Sequence, residues 1–268
     1  MSADLNLKTP FLIAGPCALE SQDNCARIAA VLKELSTELQ LPVIFKGSYW
    51  KANRTQEEAF HGLGLERGLE LLRWVQQAFG LRVTSDVHEV CEVESAAQVL
   101  DIIQIPALLC KNTKLLHAVG ETSKPVNLKK GHFVTAQDMI CSLEKVLSRG
   151  SSPVVVTERG NLFGYGEIVV DFRSVRILKT FGCPVIFDAS HSVRLPSRRS
   201  NDPAGGTPAD IPLLCRCAAA AGVDGLFIET HPSPESALCD SAVAYPLHSL
   251  KRLVRNFVEL RLFQSIPA

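Results

Sequence analysis

The sequence carries no surplus of either charge: 28 lysines and arginines balance 28 aspartates and glutamates among 268 residues. No long-range field therefore draws it to nucleic acid or to an anionic membrane, and any affinity for phosphate has to come from a local cluster. Apolar runs near the roughly 20 residues that span a bilayer are absent. The opening stretch, MSADLNLKTP, lacks a basic region followed by a long apolar segment, so no signal peptide is expected. The nine cysteines include no CxxC pair, only the CxC of Cys215 and Cys217. An odd, scattered set fits reduced thiols, most of them small core hydrophobes, and predicts a cytoplasmic protein. Missing too are a composition break that would mark a linker and a GxGxxG after any strand, the mark of a dinucleotide-binding open sheet.

What is present is one recurring unit. Phe11 to Ala14 is a short apolar run stopped by Gly15-Pro16, with Cys17 just beyond it and a plausible N-cap at Ser21 before a helical pattern reaching Leu39. Further strand candidates follow at VIF after Pro42, at 82–87, 102–106, 125–130, 153–159, 184–191 and 225–231. Each precedes a helical stretch. After the second strand a long helix is expected to reach about Phe79, weakened in its first half by Gly62, Gly64 and Gly68. Thr135-xx-Asp138 reads as a capping box for a helix reaching Leu147, and a basic helix from about Ser241 closes the chain. Eight continuous apolar strands alternating with helices predict a parallel sheet buried on both faces, closed as a (β/α)8 TIM barrel in a single domain over 1–268.

In such barrels the site occupies the rim formed by the C-terminal strand ends. Here those ends are Cys17, Lys46, Lys51, Asp86, Gln104, Lys129, Arg159, His191 and Glu229. Unpaired polar groups pointing inward cost roughly 1–3 kcal/mol each, so nine on one rim call for a ligand. Lys46, Lys51, Arg54, Lys129 and Arg159 form a cationic set suited to a small polyanion bearing phosphate and carboxylate, or two phosphates. Solvated loop charge is the alternative for any one of them. Cys17, His191, Glu229 and Asp240 form a mixed soft and hard donor set suited to Zn²⁺, Fe²⁺, Mn²⁺ or Co²⁺. On spacing alone, a buried thiol, a hydrogen-bonded imidazole and two capping acids explain them equally well. His88 and His231 read as satisfied rim histidines, the Leu195 to Pro212 stretch as a lid or a plain surface loop, and Lys129, beside Lys130 and Arg159, remains open as a Schiff-base nucleophile.

The segments AGPCALES, FKGSYWKANR, TSDVHE, IIQIPA, NLKKG, TERGNLFGYGEIVVDFRS, FDASHSV and FIETHPSPESALCD resemble the 3-deoxy-D-manno-octulosonate 8-phosphate synthases, from about residue 9 to the last helix. KANR and TERG…FGY are the most specific pieces. The sister family, the 3-deoxy-D-arabino-heptulosonate 7-phosphate synthases, carries a Lys-Pro-Arg-Thr type segment where this chain has Lys51-Ala52-Asn53-Arg54. The resemblance implies a transferase that condenses phosphoenolpyruvate with D-arabinose 5-phosphate and water, releasing phosphate, on the route to the Kdo of lipopolysaccharide. It implies that Lys46, Lys129 and Arg159 hold phosphoenolpyruvate, with Gln104 and the Ala107 backbone along the same pocket and Asp86 among the substrate contacts. Lys51 would act near the carboxylate and the reacting carbons, and Asn53 and Arg54 would bind the sugar phosphate.

The same resemblance places Cys17, His191, Glu229 and Asp240 as ligands in the metal-dependent branch, whose metal-independent sister has Asn in place of Cys17. His191 and Asp240 would then also take part in catalysis, and a homotetramer is implied. Two departures stand out. Thr55-Gln56 follows KANR where Ser-Ser is frequent, and LPSRRSNDPAGG after the seventh strand is less glycine-rich than usual and carries two arginines. Erythrose 4-phosphate as the aldose, a phospho-sugar binding barrel without activity, and a Schiff-base aldolase are the competing readings.

Overall fold

A computed structural model describes residues 10–54, 56–150, 153–162, 166–198 and 202–264. Eight parallel strands run in sequence order: β1 (Phe11–Gly15), β2 (Val43–Lys46), β3 (Arg82–Asp86), β4 (Ile102–Ile105), β5 (Val126–Lys129), β6 (Val154–Glu158), β7 (Val185–Asp188) and β8 (Gly225–His231). β8 returns to pair with β1 over five positions, from Phe11↔Gly225 to Gly15↔Glu229, which closes the barrel expected from the sequence. The helices between and after them are α1 (Gln22–Leu39), α2 (Leu65–Phe79), α3 (Val93–Ala97), α4 (Thr113–Gly120), α5 (Met139–Leu147), α6 (Arg173–Lys179), α7 (Ile211–Ala221) and α8 (Leu247–Gln264). No described helix is long and apolar enough to cross a membrane.

Because side chains alternate along a strand, each strand feeds two cores. Leu12, Val43, Phe45, Val83, Ile103, Val126, Leu128, Val156, Phe187 and Leu226 face the helices. A second, smaller cluster of Phe11, Ile13, Ile44, Ile102, Val155, Ile186 and Phe227 fills the barrel interior. Continuous apolar runs are what burial on both faces requires, which is why the strands were legible.

Local signals set several boundaries. Ser21 caps α1 by accepting from the Asn24 amide at 3.1 Å. Thr135 and Asp138 exchange the two bonds of a capping box ahead of α5, with separations of 3.2 and 3.3 Å. The long helix expected after the second strand begins only at Leu65. Gly62 and Gly64 hold left-handed backbone at φ 114° and 83°, so the chain turns there instead of coiling. Gly68 serves packing: a Cβ on it would stand 2.3 Å from the Cβ of Tyr49. The last helix starts at Leu247, after a short turn at 241–243 and a two-residue strand, Tyr245–Pro246, that extends the end of β8.

Candidate active site

The inward positions change character toward the C-terminal strand ends. Above the apolar interior lies a buried polar girdle across β3 to β6: Thr157 donates to Asn127 at 2.5 Å, Asn127 to Gln104 at 2.8 Å, and Gln104 to Asp86 at 2.6 Å. Ser48 donates to the other Asp86 oxygen at 2.5 Å. Each amide or hydroxyl satisfies the next, as buried polar groups must. Gln104, conspicuous in the sequence as a polar residue within an apolar run, therefore braces the carboxylate of Asp86 besides lining the cavity.

That cavity, of about 400 Å³, opens above the girdle and includes Lys46, Lys51, Asn53, Asp86, Gln104, Ala107, Lys129, Arg159, His191, Arg194, Glu229 and Asp240 in its wall. Its size is that of a small-molecule site. Of the cations that sequence reasoning brought to one rim, Lys46, Lys51, Lys129 and Arg159 converge on the cavity and Arg54 does not. Each lysine stands against an acid: Lys46–Glu229 at 2.8 Å, Lys51–Asp86 at 3.9 Å and Lys129–Asp188 at 2.5 Å. Lys129 also stands 3.8 Å over the Phe227 ring. Burial opposes the charge on Lys51, but Cys17, Cys239, Glu229 and Asp86 around it raise its pKa well above the ordinary value. For Lys129, burial prevails over Asp188 and its pKa falls. Arg159 is buried, and its Nε has no hydrogen-bond partner among the described residues.

Opposite this flank lie the soft and hard donors. Loops after β1, β7 and β8 bring Cys17, His191 and Asp240 together with Glu229 of β8, since these three strands are neighbours at the seam. His191 Nε2 lies 3.7 Å from Glu229 Oε2 and 3.8 Å from Asp240 Oδ2, and Cys17 Sγ lies 3.2 Å from the same Asp240 oxygen. Two ligands about 2.1 Å from one tetrahedral ion stand about 3.4 Å apart, so the separations among His191, Glu229 and Asp240 suit a shared divalent cation, while Cys17 groups with Cys239 and Asp240. Two further observations fit a metal. Glu229 Oε2 is a buried carboxylate oxygen with no hydrogen-bond partner among the described residues. The other His191 nitrogen, Nδ1, is held by Asp188 at 2.9 Å, which aims Nε2 at the donor group, the usual outer arrangement of a ligating histidine. Burial works against the Glu229 carboxylate, yet Lys46 and His191 hold its pKa well below the usual range. Burial pushes the Cys17 thiol up, with Cys239 and Asp240 adding to it.

Other placements differ from what the residue types suggested. Arg54 turns toward the loop after β8, donating to Cys239 Sγ at 3.0 Å and to the Leu238 carbonyl at 3.3 Å, and is not part of the cavity wall. His231 is satisfied, as expected, by Ser233, Asn24 and Glu20. His88 is less well satisfied: its buried Nδ1 has no hydrogen-bond partner among the described residues and stands 4.0 Å from Glu92 Oε2, and the residue lines the cavity. The stretch after β7 folds back on itself through Leu195 and Gly205, bonded at 2.8 Å, and sends Arg194 to Asp240 Oδ1 at 3.2 Å. Thr55, the whole of FGY at 163–165, and 199–201 lie outside the described residues. Sequence reasoning passed over Asp188, Arg194 and Cys239. An acid closing the apolar run VIFD was the available signal for Asp188; nothing in the spacing marked the other two.

The fold places the chain among the (β/α)8 barrels, here with a C-terminal mouth that sets buried cations against sulfur, nitrogen and carboxylate groups close enough to be candidate metal donors. Among these, the model of the DAHP synthetase I family matches residues 7–261, and the chain belongs to that family. It is 47% identical over 249 residues to a 2-dehydro-3-deoxyphosphooctonate aldolase of Syntrophotalea carbinolica, covering 93% of this chain and 90% of the relative. It is 45% identical over 245 residues to the protein so named from Acidithiobacillus ferrooxidans (91% and 87%), and 45% over 258 residues to that of Xylella fastidiosa (96% and 93%).

Proposed function

We propose that this chain condenses phosphoenolpyruvate with D-arabinose 5-phosphate and water to give 3-deoxy-D-manno-octulosonate 8-phosphate and inorganic phosphate, the step that supplies Kdo for lipopolysaccharide. The observation that carries the reading is the single cavity with Lys46, Lys51, Lys129 and Arg159 on one flank and His191, Glu229 and Asp240 on the other. The names of the relatives point to the same product. The reading takes the chain as one barrel domain over 1–268, working in the cytoplasm as a homotetramer with a divalent ion, Zn²⁺, Fe²⁺, Mn²⁺ or Co²⁺, on Cys17, His191, Glu229 and Asp240.

In this reaction C3 of phosphoenolpyruvate forms a bond to the aldehyde carbon, water adds at C2, and the C2–O bond breaks as phosphate leaves. Lys129 and Arg159 bind the phosphoenolpyruvate anion, with Lys46 beneath it and Gln104 and Ala107 along its side. Lys51 lies by the carboxylate and the reacting carbons, its charge secured by the acids around it. Asn53 receives the sugar phosphate, and Arg54, next to it in the same loop, reaches that group once it leaves Cys239 and Leu238; Asp86 orders that side of the floor. Holding two anions in reacting order is worth up to about 7–11 kcal/mol of barrier. A divalent ion supplies a template or Lewis acid for the aldehyde when bound. His191, fixed by Asp188 through Nδ1, presents Nε2 to the ion beside Glu229 and Asp240.

The assay is phosphate release from phosphoenolpyruvate with arabinose 5-phosphate and erythrose 4-phosphate in competition, before and after chelation. Release that requires arabinose 5-phosphate and is lost with the metal supports the reading. Preference for erythrose 4-phosphate, the reaction of the sister synthases, or release with no aldose overturns it. Cys17→Ala is expected to abolish metal-dependent turnover, and full activity of that variant with chelator present removes Cys17 from the ligand set.

A further inference from the structure

Cys239 immediately precedes Asp240 and is 1% exposed. Buried thiols are ordinarily small hydrophobes, and Cys239 does pack with Cys17, Ala18 and Phe60, but two contacts set it apart. Its Sγ lies 2.7 Å from Cys17 Sγ, well inside the roughly 3.5–4.0 Å at which even carbon atoms pack. The guanidinium of Arg54 donates to it at 3.0 Å, the counter-charge a thiolate ligand needs. Cys17, Cys239 and Asp240 each offer an atom within 4.8 Å of the others, and so do His191, Glu229 and Asp240. The two groups share Asp240, so one ion can draw on either.

We propose that Cys239 is a metal-ligating residue, giving the site a second, sulfur-rich mode on Cys17, Cys239 and Asp240 that favours thiophilic ions such as Zn²⁺ or Cd²⁺ over Mn²⁺. Two thiolates on one tetrahedral ion stand about 3.8 Å apart, so the sulfurs must part by about 1 Å on loading. Cys239 lies between β8 and the short strand at Tyr245, in a loop segment that can make that adjustment. Thiolate pairs select soft and borderline ions, whereas the imidazole and carboxylate group is suited equally to Mn²⁺. The proposal rests on the metal-dependent reading above but concerns which ion the donors prefer, and so fails separately from it.

The test uses the full chain and Cys239→Ser, both kept reduced with a phosphine. Thiolate-to-metal charge-transfer absorbance is read per bound Co²⁺, and Cd²⁺ is competed against Mn²⁺. In the variant the absorbance is expected to fall to about half, and the Cd²⁺ preference by about tenfold or more, with Mn²⁺ affinity kept within about twofold. Unchanged absorbance and preference overturn the proposal. X-ray absorption of zinc bound to the unaltered chain decides it without any variant: two sulfur neighbours support the second mode, and one rejects it. An unaltered chain that binds none of these ions overturns both this proposal and the metal-dependent reading.

Discussion

Asp86 shows how single side chains carry this site. It accepts from Ser48 and Gln104 and faces Lys51, all buried. Burial opposes its charge, but Lys46 and Lys51 hold its pKa below the ordinary aspartate value. A depressed folded pKa means that its contribution is complete above about pH 4 and is lost as pH falls further. Asp86→Asn is therefore expected to cost about 3 kcal/mol at pH 7, with the gap to the unaltered chain narrowing below pH 4 in urea titrations. Equal stability at neutral pH would show that the carboxylate is not needed. Arg194 holds one Asp240 oxygen while the other faces the metal donors. Arg194→Ala is expected to weaken metal binding about tenfold, as loss of an outer partner does, read by chelator competition. At this scale the sequence was informative where a polar residue fell within or at the end of an apolar run, as at Gln104, Lys129 and Glu229, and Asp188 carried the same signal unread. Arg194 and Cys239 act by touching other functional groups, and such contacts between distant positions leave no local pattern.

At the level of elements, strands were easier to read than helix starts. A strand buried on both faces must be apolar throughout, so β1 to β8 stood out; α2 did not, because the segment before it is arranged by backbone turns at Gly62 and Gly64. Gly68 looked like a weak point in that helix and is instead where it meets Tyr49. Alanine would gain about 1 kcal/mol in helix propensity there. The clash of its Cβ with Tyr49 costs about 1–3 kcal/mol and wins. Gly68→Ala is expected to lower the thermal midpoint, and a raised midpoint would mean that Tyr49 moves aside freely.

For the molecule as a whole, an ion held by the proposed donors would also be part of the folding balance. An ion at 100 times its dissociation constant adds about 2.7 kcal/mol to stability if it binds only the folded chain. Adding Zn²⁺ to chelated protein is expected to raise the calorimetric midpoint, and no shift would indicate that the donors do not capture it. The barrel's seam has a further consequence. Cys17 and Asp240 are 223 positions apart, and the first strand is fastened to the eighth, not only to the second. A chain still emerging from the ribosome and ending before β8 has no closing partner for β1 and lacks half of its donors. Competence is thus expected to arrive only once β8 is made, with a product shortened before it inert rather than half-active.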